Sequence, residues 1–252
     1  MTGPLYVYGV LPAEEQPRLS PTGVEGAEVR TVEHAGIAAL VSPVRGSELA
    51  VAREVRAHGS VLGEASKRAT VLPVRFGTVL ESEDAVRDRL LAPNAERLAA
   101  LLRDVAGCVQ LSVKGEYVEE RLMRDVVRGS PAVAALRKRL EKVPEEAGYY
   151  ERIRLGELVA GEVAHRREED TRRAMEKLEP LASAAREEAP TRPNTAFNLA
   201  FLVKRDGERA FTKGVSELGD DLKGRIEIRY VGPLPPYSFA EADMSEGSAA
   251  WA

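Results

Sequence analysis

Apolar positions along this chain fall first at the alternating spacing of strands and then at helical spacing, and the cycle occurs twice. Leu5-Tyr6-Val7-Tyr8-Gly9-Val10-Leu11 is rich in strand formers, and Pro12 ends the run. A Pro/Gly/Glu stretch to Gly26 reads as a loop. Glu28 to Glu33 and Ile37 to Val41 read as two strands of a hairpin around His34-Ala35-Gly36. Ser47 can cap a helix to about Lys67, with Val51, Val55, His58 or Gly59, and Leu62 at helical spacing. Thr70 to Phe76 is a further strand. Ser82 caps an amphipathic helix whose stripe is Ala85, Leu90, Leu91, Leu98, Leu101, Leu102 and Val105. This order fits an α+β sandwich, with helices on one face of a mostly antiparallel sheet.

Gly107 opens the second cycle. Val109, Leu111 and Val113 alternate as in a half-buried strand. Tyr117 to Val127 and Pro131 to Leu140 read as helices, the latter with Ser130 as cap and proline at the first helical position. A long helical region follows, from about Glu145 to Glu188. Its centre, His165 to Arg173, is almost wholly charged, so that part is expected to project from the body or lie between elements. Pro180 must kink or interrupt it. Phe197, Leu199, Phe201 and Val203 share one strand face, and Phe211, Val215, Leu218 and Leu222 form a helix stripe. Ile226, Ile228 and Tyr230 alternate again. The division expected is 1–106 for an N-terminal α+β domain, 107–239 for a C-terminal one with a long helical arm, and 240–252 for an acidic, disordered tail.

Composition narrows the classes. The chain has 252 residues, 44% hydrophobic and 30% charged, enough to build a packed core. A formal net charge of -4 argues against nucleic acid as a partner, where a basic face is expected. The opening lacks the basic region of a signal peptide, and no apolar run approaches the roughly 20 residues of a membrane helix. A cytosolic, soluble protein is expected. Cys108 is the single cysteine, which excludes a disulfide framework within the chain.

A search for reactive groups yields little. His34, His58 and His165 share no metal-ligand spacing. His58 is expected to be a hydrogen-bonded, partly buried side chain, and Cys108 a buried, inert one. Phosphate-binding glycine loops are absent, and no carboxylate pair stands out. No catalytic, cofactor-binding or metal-binding residue is assigned. Arg75 has two readings. Its planar fork can grip a partner's carboxylate at an exposed rim, or it can pair an acid of its own domain such as Glu64; the second is preferred.

Two blocks carry most of the information: Leu72-Pro73-Val74-Arg75-Phe76-Gly77-Thr78 and Gly232-Pro233-Leu234-Pro235-Pro236-Tyr237-Ser238-Phe239. Both join rigid prolines, a glycine joint and aromatic anchors, as docking of one surface on another requires. Burying Tyr237 and Phe239 yields roughly 1.5–3 kcal/mol each. Ordering eight ordinary residues costs roughly 1–2 kcal/mol apiece, but three prolines lower that cost. The block is therefore expected to dock on its own domain rather than be displayed as a polyproline ligand.

These blocks, with the opening strand Leu5 to Val10, Ala39-Leu40-Val41-Ser42, the His58-to-Leu62 helix and Asn194 to Lys204, resemble the gas vesicle protein F/L family. One departure is Leu234, where many members carry tryptophan. The resemblance implies two α+β domains, the first a modified ferredoxin-like sandwich and the second carrying a coiled-coil-like helical arm. It implies an accessory, non-enzymatic role in gas vesicle assembly, through binding the hydrophobic shell protein and other accessory proteins. It brings no cofactor and no catalytic residues. The candidate partner contacts are Pro73, Arg75, Phe76, Phe197, Phe201, Leu234, Tyr237 and Phe239. Two other classes stay open: a ligand-binding or enzymatic ferredoxin-like domain, which needs a polar cleft near Arg75 or His58, and an RNA-binding sheet, which needs Tyr6 and Tyr8 exposed.

Overall fold

The computed structural model describes residues 3–17, 19, 22–45, 51–144 and 146–240. Ser47, the expected cap, and residues 241–252, most of the expected tail, lie outside the described residues. The fold mixes helix with two antiparallel sheets. The chain forms two compact units, one from residues up to Gln110 together with the segment from Gly232, the other from Leu111–Val231.

The first unit is built on β1 (Leu5–Pro12), with β2 (Arg30–His34), β3 (Ile37–Pro43), β4 (Leu72–Pro73) and β5 (Val79–Leu80) in the order β2-β3-β1-β4, β5 also pairing with β1. The β2–β3 hairpin turns on Ala35 and Gly36, both at positive φ, as a two-residue turn requires. Leu5 to Leu11 are buried without alternation, so both faces of β1 are covered. Helices α1 (Val51–Ser66) and α3 (Ala95–Asp104) both pack on it, in place of the one-sided layer expected. The Ser82 hydroxyl caps the three-residue α2 (Glu83–Ala85), accepting from the Ala85 N–H at 3.1 Å. A π-helical stretch, Val86–Leu91, and a 3-10 turn at Ala92–Asn94 holding Pro93 then separate α2 from α3.

The expected strand from Thr70 to Phe76 shrinks to the two residues of β4. Pro73 lacks an N–H and cannot extend the ladder. Val74 still donates to the Tyr8 carbonyl at 2.9 Å, before the chain turns at Gly77.

In the second unit β6 (Cys108–Tyr117), β7 (Ala184–Glu187), β8 (Thr195–Lys204) and β9 (Ile226–Leu234) form a four-stranded sheet in the order β7-β8-β6-β9, the first residues of β6 and the last of β9 belonging to the first unit. Between β6 and β7 run α4 (Glu119–Gly129), α5 (Pro131–Leu140) and the 30-residue α6 (Tyr149–Leu178). Helix α7 (Glu208–Asp221) joins β8 to β9. Tyr117 belongs to the strand rather than to the next helix, and Cys108 is half-buried.

The long helical region expected to reach Glu188 ends at Leu178, because Pro180 stops it within a 3-10 turn. Beyond it Ala184–Glu187 is strand, in spite of its helix-forming residues, because it pairs with β8. The charged centre of α6 also behaves differently from expectation. Asp170 and Thr171 are buried, and Arg167 donates to the carbonyls of Thr195 at 2.8 Å and Pro193 at 3.0 Å. That segment is where α6 docks on the sheet. The half before it is the exposed one, with Tyr149, Tyr150 and Ile153 turned to solvent.

Candidate functional site

In the first unit the two blocks singled out by sequence converge on one cluster. The segment Tyr237–Ala240 forms a short helix, α8, that packs on β4. Phe76 and Tyr237 both rest against the core group containing Tyr6, Tyr8, Leu40, Val61 and Leu62. The Gln110 side chain fastens this closing segment: its Nε2 donates to Ser238 Oγ at 3.0 Å, and its Oε1 accepts from the Ser238 N–H at 2.8 Å. The segment was expected to fold with residues 107–239; it packs instead with the first unit.

At the heart of the cluster Tyr6 Oη lies 2.9 Å from His58 Nδ1 and accepts from the Gly77 N–H at 3.1 Å. A backbone N–H can only donate, so the phenol oxygen accepts there; toward Nδ1 it donates or accepts according to which ring nitrogen of His58 carries the proton. Tyr8 Oη accepts from the Val24 N–H at 2.7 Å and pairs with Ser42 Oγ at 2.7 Å. The His58 ring stacks on Tyr8 and meets Phe76 edge-on, both at 5.7 Å between centroids. Burial pulls the His58 pKa down to about 4 and pushes Tyr6 up to about 12.

Each position of the central block now has a physical task. Gly9, on β1, must be glycine because a Cβ there would meet the Leu72 carbonyl oxygen at 2.7 Å. Leu72 and Pro73 pair with Val10 and Gly9. Gly77 adopts φ of 90°, which lets its N–H reach the Tyr6 phenol. Thr78 closes the turn onto the Arg75 carbonyl through its N–H and its hydroxyl. Only Arg75 is fully turned out among the larger side chains of the block. Glu64, its expected partner, is taken by Lys67 and Arg68 instead.

The eight candidate contacts therefore separate. Arg75 is exposed, while Phe76, Leu234 and Tyr237 are half-buried. Pro73 and Phe239 are buried in the first unit, and Phe197 and Phe201 in the second. Phe201 packs on Phe211 with ring centroids 5.0 Å apart. Tyr6 and Tyr8 are 0% exposed, so the stacking platform that RNA recognition needs is not on the surface. His58, at 5% exposure, lies in the core rather than lining a polar cleft. Among the described residues no three His, Cys, Asp or Glu side chains are grouped to hold a metal ion. No helix there is long and apolar enough to cross a membrane.

The second unit holds a buried polar centre that sequence reasoning missed. Asp170, 2% exposed, accepts from Tyr117 Oη and from Arg225 Nη1, both at 2.9 Å. Burial and the adjacent carboxylate push the Tyr117 pKa up. The three residues come from β6, α6 and the approach to β9, so the network ties helix to sheet. The available signal was an Asp placed directly before Thr171 and Ala174 on the buried side of α6.

Comparison with known proteins accounts for nearly the whole chain. The family described as "Gas vesicle synthesis protein GvpL/GvpF" matches residues 4–241. Gas vesicle protein F of Streptomyces sp. (strain CB03234) is 30% identical over 239 residues, spanning 94% of this chain and 99% of that protein. Gas vesicle protein F of Nostoc sp. (strain PCC 7120) is 27% identical, spanning 96% and 99% respectively. The crystal structure of GvpF from Anabaena sp. PCC7120 superposes with a TM-score of 0.81 at 26% identity, over 95% of this chain and 98% of that one. These relatives are named as gas vesicle proteins and not as enzymes. With a match that runs from the first strand through the closing helix, the chain belongs to the gas vesicle protein GvpL/GvpF family.

Proposed function

We propose that this protein serves gas vesicle assembly as a non-catalytic binding partner of the hydrophobic shell protein and of other accessory proteins. It covers apolar surface of a shell subunit until that subunit joins the growing wall, and it works in the cytoplasm and at the vesicle. One observation carries the reading: in a chain matched to the family over residues 4–241, the two motif blocks spend their rigid parts on packing and leave Arg75 outside. Phe76 and Tyr237 lie half-exposed on the same cluster, and Leu234 is half-exposed just before it. A guanidinium beside partly covered rings suits an apolar segment that ends in a carboxylate or a free carbonyl. Pro73 and Phe239 would then act from beneath, by shaping that surface, while Phe197 and Phe201 would serve the core of their own unit.

The accompanying fold reading is a pair of α+β domains, at least one ferredoxin-like. The order β7-β8-β6-β9, with helices after β6 and after β8, supports that description for the second unit better than for the first.

Copurification of the shell protein with this chain from vesicle-forming cells tests the role. Arg75→Glu and Tyr237→Ala should each lower shell recovery severalfold. A well-folded chain that recovers no shell protein, in a strain whose vesicles stay normal without it, would refute the proposal.

A further inference from the structure

The exposed half of α6 carries Tyr149, Ile153, Gly156, Ala160 and Ala164 along one line at helical spacing, and all five are exposed. Tyr149 is 63% and Ile153 44% exposed, and a Cβ on Gly156 would touch nothing within 4 Å. No charged residue falls on this line between Tyr149 and Ala164, whereas Arg152, Arg154 and Glu157 flank it. A helix face kept for water is normally polar, so this one is shaped for contact.

The line is graded in size, with bulk at its start and small residues at its end. That grading identifies the occupant. In an antiparallel pair of identical helices, Tyr149 falls opposite Ala164 of the second copy and Ile153 opposite Ala160 of the second copy. Both pairings share one centre, between Gly156 and Glu157, where the two backbones approach most closely. The two Glu157 side chains meeting beside that centre each have Arg154 of the other copy within a turn. A parallel pair would instead set Tyr149 against itself and leave a gap at Ala160 and Ala164. A foreign helix would require no such relation between the two ends of the line.

We propose that two copies of this protein associate through this face of α6, antiparallel and centred between Gly156 and Glu157. The inference is independent of the binding role proposed above. A line about 22 Å long buries less than the roughly 1,600 Å² of a standard interface, so the dimer is expected to be weak.

Sedimentation equilibrium of the full chain, up to about 100 µM, should show reversible dimerisation in the range expected of a small interface. Ala160→Glu should weaken it at least tenfold while leaving the circular dichroism spectrum and urea midpoint unchanged. In a Cys108→Ser background, mixed Tyr149→Cys and Ala164→Cys chains should form a disulfide-linked dimer under mild oxidation. Either chain alone should not, because like ends lie too far apart. Each of three results would overturn the proposal: a monomer throughout, a dimer indifferent to Ala160→Glu, or self-crosslinking of Tyr149→Cys chains matching the mixed yield.

Discussion

The phenol of Tyr6 stands 2.9 Å from Nδ1 of His58 inside the first unit, while taking the Gly77 N–H on its other side. Strand, helix and central motif thus meet at one oxygen. Tyr6→Phe removes it and deprives the buried His58 Nδ1 and the Gly77 N–H of their shared partner. A loss of about 1–3 kcal/mol is expected, read as a lowered urea midpoint.

Burial of His58 sets a pH dependence. The His58 pKa falls from 6.5 in the free side chain to about 4 in the folded protein. Between those values the unfolded chain binds the proton and the folded chain does not, so stability declines as pH is lowered through this window. The full decline from this residue is roughly 3 kcal/mol. Urea titrations from pH 7 to 4 should show it, and His58→Gln, which cannot titrate, should reduce the slope.

Gly9→Ala puts a methyl group within 2.7 Å of the Leu72 carbonyl oxygen, which is backbone and cannot swing aside. The pairing of β1 with β4 must shift. A destabilisation of roughly 1–3 kcal/mol is expected from such overpacking, measured by thermal or urea unfolding.

Asp170→Ala leaves the Tyr117 hydroxyl and the Arg225 guanidinium without their shared acceptor. Removing one member of a buried charged network costs roughly 3 kcal/mol. Hydrogen exchange should show the loss first in α6 around Thr171, where the helix meets β8.

Phe201→Ala should destabilise by roughly 3–5 kcal/mol, because its ring is fully enclosed against Phe211. A near-zero change in the unfolding midpoint would mean that the ring faces a partner instead.

What could be read from sequence was what local chemistry decides. The opening strand, the hairpin at Ala35 and Gly36, the Ser82 cap and the Phe211-to-Leu222 stripe all follow from side chains a few residues apart. The self-docking of the closing block was legible too, since its prolines made ordering cheap; its destination was not. Ser238 meets Gln110 across 128 residues, and no periodicity announces such a pair. Ala184–Glu187 escaped because tertiary pairing overrode helix propensity. Asp170 escaped because a charged run looks solvated until its partners, Tyr117 on β6 and Arg225 just before β9, arrive from distant parts of the chain. Of the candidate contacts, residue type marked where packing happens more readily than which side chains remain outside.

The return of Tyr237 and Phe239 to the first unit has a consequence for how the protein is made. A ribosome delivers β1 to α3 early, yet the helix that rests on their tyrosine cluster emerges after residues 111–231. Vectorial synthesis usually lets a leading domain finish alone. Here the leading unit waits, one flank of its aromatic centre uncovered, until the following unit has been translated in full.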